Sequence, residues 1–200
     1  MDQCLDSYLS IESEENSTLR ERSSKFLSFA YPVQTEEQIK QKLDEIKKKY
    51  FDATHHCFAY RLGAKGETFR SSDDGEPSGT AGKPILGQIL SRNLTDVLVI
   101  VVRYFGGTKL GTSGLIQTYR ASASDVLDKA RIKTYTVNGT LSFTFLYEKL
   151  NEVMRVLKDM QPEKTDQIYG TTCHFQTQIR LGRIEEMKNR LEKIESLTFL

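Results

Sequence analysis

Val97-Leu98-Val99-Ile100-Val101-Val102-Arg103-Tyr104-Phe105-Gly106-Gly107-Thr108-Lys109-Leu110-Gly111-Thr112-Ser113-Gly114 is the stretch from which the fold can be read. Its first six residues form the longest uninterrupted apolar run of the chain, and their β-branched character suits a strand buried on both faces. Six residues fall far short of the roughly 20 that a membrane-spanning helix needs. After the glycines, Leu115, Tyr119, Ala123, Val126 and Ala130 recur at helical intervals, which predicts a long helix over about 113–129. A strand thus delivers a Gly-rich turn into a helix N-terminus, where free amides and the helix dipole favour an anion.

The turn supplies the first candidate residues. Arg103 and Lys109 bring positive charge, Gly106, Gly107 and Gly111 allow close approach of the backbone, and Tyr104 can stack on an exposed base. The same glycines equally serve a tight turn at positive φ beneath the helix. Neither GxxxxGK[ST] nor GxGxxG occurs, so a nucleotide-hydrolysing loop is not supported.

A second segment precedes the strand: Ser71-Ser72-Asp73-Asp74-Gly75-Glu76-Pro77-Ser78-Gly79-Thr80-Ala81-Gly82-Lys83-Pro84. Thr80 and Lys83 join the phosphate-contact set. Asp73, Asp74, Glu76 and Ser78, with His55 and His56 from further upstream, make a candidate polar site. Carboxylates this close can hold a hard cation such as Mg²⁺, can pair internally with Arg103 and Lys109, or can sit in a solvated turn. Capping by Thr80 or Ser78 and ion pairing are favoured over metal, so no cofactor is expected. His55 and His56 are adjacent and point to opposite faces of a strand, so they cannot share one ion without a bend.

Outward from these segments, the chain reads as alternating short elements. Lys25–Tyr31 predicts a strand stopped by Pro32, and Thr35-x-x-Gln38 has capping-box spacing ahead of a helix to about Tyr50. His56–Leu62 and Glu67–Ser71 predict two short strands. From Ile132 onward a second unit reads β-α-β-β-α-β, the ferredoxin-like pattern, with Cys173, Phe175, Thr177 and Ile179 on one face of a strand and His174, Gln176, Gln178 and Arg180 on the other. The expected division is an acidic tail over 1–17, an N-terminal domain over 18–132 and a C-terminal domain over 133–200, an α+β fold.

Charge is uneven although the net is only +1. Residues 75–133 hold eight Lys and Arg against four Asp and Glu, a positive middle that favours a phosphate partner. The acidic first residues lack a secretion signal, so a cytoplasmic location without membrane attachment is expected. Three scattered cysteines without a CxxC pair read as reduced thiols, and Cys57 as a small core residue.

The runs SDDGEPSGTAGKPIL at Ser72–Leu86 and VVRYFGGTKLGTSGL at Val101–Leu115, with DATHHCFAYR at Asp52–Arg61 before them, resemble the YigZ/IMPACT family. The likeness extends from about Lys25 to Leu127, and residues 134–200 look like the small C-terminal domain of the bacterial branch, without the extra N-terminal module of eukaryotic members. It implies an N-terminal domain similar to the second domain of a small-subunit ribosomal protein and a C-terminal domain similar to the last domain of elongation factor G. It also implies a link to translation, eukaryotic members being regulators that act by binding a protein partner. A non-catalytic regulator that binds RNA, the ribosome or a ribosome-associated protein is the leading expectation. The alternative is an enzyme acting on a phosphorylated small molecule or nucleotide, with Mg²⁺ held by Asp73, Asp74 or Glu76.

Overall fold

The computed structural model describes residues 6–200, and they divide into two units, Tyr8–Tyr135 and a smaller one formed by residues 6–7 and 136–200. In the larger unit, β2 (Glu15–Glu21), β3 (Ser24–Pro32), β4 (His55–Leu62), β5 (Thr68–Ser72) and β6 (Val97–Tyr104) form one sheet in the order β2-β3-β6-β4-β5. Every neighbouring pair in it is antiparallel.

The apolar run lies at the centre. Val97 through Val102 are all fully buried, because each strand face has its own helical cover. Val97, Val99 and Val101 pack with Ile85 and Ile89 of α2 (Gly82–Ser91) and with Leu115, Tyr119, Ala123 and Val126 of α3 (Gly111–Lys129). Leu98, Ile100 and Val102 pack with Ile39 and Ile46 of α1 (Glu36–Lys49). Burial of each such side chain stabilises the fold by about 1.5–3 kcal/mol. The Thr35 hydroxyl caps α1 by accepting from the Gln38 amide at 3.3 Å, while the Gln38 side chain accepts from the Gln34 amide at 2.7 Å.

Two expected boundaries are corrected. The acidic tail assigned to 1–17 is not a tail where it is described: β1 spans Ser7–Ile11 and β2 starts at Glu15, with Ser10, Ile11 and Ser17 buried. Residues 1–5 of that expectation lie outside the described residues. β1 pairs with β7 (Ile132–Thr136), and Tyr8 stacks on Tyr135 at 5.6 Å, so the larger unit extends past Ile132 to Tyr135. The acids between β1 and β2 hid a short strand whose apolar residues are too few to show periodicity.

The smaller unit contains β8 (Asn138–Leu146), α4 (Leu150–Met160), β9 (Lys164–Ile168), β10 (Thr172–Arg180), α5 (Ile184–Leu191) and β11 (Thr198–Phe199). Its antiparallel sheet runs β11-β8-β10-β9, the ferredoxin-like order. Cys173, Phe175, Thr177 and Ile179 are buried while His174, Gln176, Gln178 and Arg180 are exposed, as their alternation requires.

Candidate functional site

Strand parity decides where Arg103 goes. It continues the Val97, Val99, Val101 face of β6, so its guanidinium enters the side of the sheet covered by α3. There Nη1 donates to Glu76 Oε1 at 2.6 Å, and the Tyr119 hydroxyl donates to the same oxygen at 2.8 Å. The Arg103 and Glu76 side chains are 6% and 3% exposed. The guanidinium lies between the rings of Phe26 and Phe105, at 5.5 Å from each.

Around this pair the acidic loop is tied down residue by residue. Asp73 accepts from the amides of Gly79 at 2.7 Å, Ala81 at 2.9 Å and Gly82 at 2.8 Å, and so caps α2 from the far end of the loop. Burial acts to raise its pKa, but these three amides, with Lys83 nearby, outweigh that and hold it below the usual carboxylate value. The expected caps are corrected: Ala81 at the N-cap has no side-chain bond, and the buried Thr80 hydroxyl donates to the Pro77 carbonyl at 2.6 Å. Ser78 is exposed.

Asp74, held at φ 42°, accepts from the His56 amide at 2.6 Å, which closes the loop against the start of β4. The two histidines take opposite faces. His55 sets Nδ1 2.7 Å from the Asp74 carbonyl and Nε2 3.8 Å from Glu76, whereas buried His56 sets Nε2 3.0 Å from the Tyr50 carbonyl. Cys57 donates its thiol to the Asp73 carbonyl at 3.0 Å, and burial pushes its pKa up to about 12, which makes it an unreactive thiol. Burial, then the neighbouring Cys57 and Glu76, also raises the Tyr119 phenol well above its ordinary value.

Each of the three carboxylates is therefore engaged by protein donors. Among the described residues no group of three or more His, Cys, Asp or Glu is arranged to hold a metal ion.

The Gly-rich turn differs. Only its first part is built into the protein: the Gly106 amide donates to the Ser24 hydroxyl at 3.2 Å, and a Cβ on Gly106 would fall 2.0 Å from the Ser23 carbonyl oxygen. Beyond it, Gly107, Thr108, Lys109, Gly111, Thr112 and Ser113 are exposed. Leu110 offers α3 no side-chain cap, so the first-turn amides of that helix face solvent. Gly107 and Gly111 sit at φ 87° and 74°, a region L side chains rarely adopt. Tyr104 falls on the α1 face, and its hydroxyl donates to Asp52 at 2.7 Å; this bond, more than burial, lifts its pKa to about 12.

The phosphate-contact set expected from sequence is thus split. Arg103 leaves the set for a buried ion pair with Glu76, the internal pairing that was the other reading of the acidic segment, and Thr80 is corrected to a buried loop bond. Lys83, Gly107, Lys109 and Gly111 remain at the surface, and His55, His56, Asp73, Asp74, Glu76 and Arg103 meet in one internal network. Tyr119 and Ser24 complete it and were not anticipated. The available signal for Tyr119 was its place in the Leu115, Ala123, Val126 row of α3, opposite a strand ending in a charge.

Residues 22–127, the region holding both segments, match the model of the Impact N-terminal domain. The chain belongs to the IMPACT family. It is 32% identical over 175 residues to the IMPACT family member YvyE of Bacillus subtilis, covering 88% of this chain and 81% of that one. It is 27% identical over 172 residues to the IMPACT family member YigZ of Escherichia coli, covering 85% and 84%. A crystal structure described as that of a hypothetical protein superposes with a TM-score of 0.74 at 26% identity, covering 98% of this chain and 97% of that one. No helix among the described residues is long and apolar enough to cross a membrane.

Proposed function

We propose that this IMPACT family member is a non-catalytic, translation-linked regulator that binds RNA phosphates at the exposed turn from Gly107 to Ser113. The uncapped first turn of α3 carries this reading, since its free amides and dipole face solvent beside Lys109. Lys109 has no carboxylate within 4.0 Å among the described residues. The translation link that the family resemblance implies, and the positive balance of residues 75–133, agree with it. Arg103 and Thr80 have no part in the contact, because both are buried in bonds of their own.

The test is co-sedimentation with ribosomal subunits at low and high salt, joined to fluorescence anisotropy with single-stranded RNA. Binding should weaken as salt rises, and Lys109→Ala should lower the slope of log affinity against log salt by about 0.7. No salt-sensitive affinity at low ionic strength would remove RNA as the ligand.

A further inference from the structure

The eight cations of residues 75–133 occupy three kinds of surroundings. Arg103 is buried against Glu76. Arg92 meets Asp128, Lys129 meets Asp125 at 3.1 Å, and Arg131 and Lys133 meet Glu12 at 3.1 and 3.6 Å. Lys83, Lys109 and Arg120 are exposed and, among the described residues, have no carboxylate within 4.0 Å. The charge excess of this segment is therefore concentrated on three side chains of one unit. Asp73, the acid that Lys83 influences at longer range, is already bonded to three amides.

Two of the three share a groove. Lys83 of α2 and Arg120 of α3 line it together with Gly79, Gly87 and Ile116, and among the described residues no acidic side chain lines it. Lys83 Cδ lies 3.6 Å from where a Gly79 Cβ would stand, so its stem crosses the loop, and a Cβ on Gly87 would meet nothing within 4 Å.

Arg120 is seven residues beyond Ser113 on α3, which is about 10 Å along the helix axis. The Arg120 side chain leans toward the helix N-terminus, so it and the first-turn amides follow one another along the α3 surface. A ligand with repeated negative charge can engage the turn, Lys83 and Arg120 together.

We propose that the α2–α3 groove carries the continuation of the strand that the Gly-rich turn begins, so that the ligand is a single-stranded RNA of several nucleotides. This rests on the RNA reading of the turn. Lys83 and Arg120 then act as point charges along the backbone, and release of counterions supplies much of the affinity.

The experiment is anisotropy titration of a labelled dinucleotide and of an oligonucleotide of about 12 nucleotides, across a salt series, with the wild-type chain and the double variant Lys83→Gln/Arg120→Gln. Both positions are exposed, and thermal melts of the variant check the fold. The expected result is length-dependent wild-type binding and a salt slope lowered by about 1.4 in the double variant for the longer RNA alone. An unchanged slope, with Lys109→Ala still effective, overturns the groove and leaves the turn standing. Absence of wild-type binding to either RNA overturns both. Displacement of the RNA by polyglutamate at equal charge concentration overturns nucleic acid as the ligand class.

Discussion

Arg103 and Lys109 stand six residues apart in one segment, and folding sends them into opposite surroundings. Arg103 ends a central strand, points into the face covered by α3, and neutralises a buried carboxylate. Lys109 lies past Gly106 and Gly107, where it is exposed. Charge type and nearness to glycine are the same for both. What separates them is whether the backbone is still inside the sheet when the cation is reached. A basic residue at the end of a buried strand is read by parity before it is read by charge.

Glu76 is where the largest effect is expected. Replacing it by Ala leaves the Arg103 guanidinium charged and buried, so stability should fall by about 3–5 kcal/mol, measured as a shift in urea midpoint at unchanged m. Replacing both partners by Met residues should be less harmful than Glu76→Ala alone, because no unpaired charge then remains. If Glu76→Ala loses less than about 1 kcal/mol, the pair is solvated and the contrast with Lys109 is false.

Asp73 gives the next effect. Its substitution by Asn removes a charged cap from α2 and should destabilise by about 0.5–2 kcal/mol. Its folded pKa lies below the ordinary value of 3.8, so its contribution is present above that value and is lost as pH falls through the lower folded value. The wild-type minus Asp73→Asn difference in stability should therefore be constant near neutral pH and shrink in acid below about pH 4. Taking the difference also cancels Asp125 and Asp128, whose pKa values are lowered too. A difference that grows in acid would mean that the amides do not hold the carboxylate.

Much of the fold was legible because its signals are local. The run Val97–Val102, the Thr35 cap and the alternation along β10 each predict their element from neighbours in sequence. β1 was not legible, since five residues beside an acidic turn show no period and are held by pairing with β7, more than a hundred residues away. The site divides along the same line. Exposure of Gly107–Lys109 follows from the turn itself, whereas the fate of Glu76 depends on Arg103 and Tyr119, which sequence separates from it by 27 and 43 positions. Even so, parity along β6 already placed Arg103 with Val97, Val99 and Val101. The charge pattern offered Arg103 both a phosphate contact and an internal pair with the acidic segment, and the parity of β6 selects the second.

The two cations should differ in opposite senses for stability and for binding. Lys109→Ala removes an exposed ammonium that touches no carboxylate among the described residues, so the unfolding free energy should move by no more than about 0.5 kcal/mol. Arg103→Ala, six residues upstream, leaves Glu76 buried without its cation and should lose several times that. RNA affinity should reverse the order: Lys109→Ala lowers the salt slope, while Arg103→Ala, measured at a temperature where it is folded, leaves the slope unchanged. One cation then carries stability without binding and the other binding without stability. Should Arg103→Ala in its folded state reduce the salt slope as much as Lys109→Ala does, the guanidinium must leave Glu76 to reach the ligand, and the acidic loop would have to open for binding.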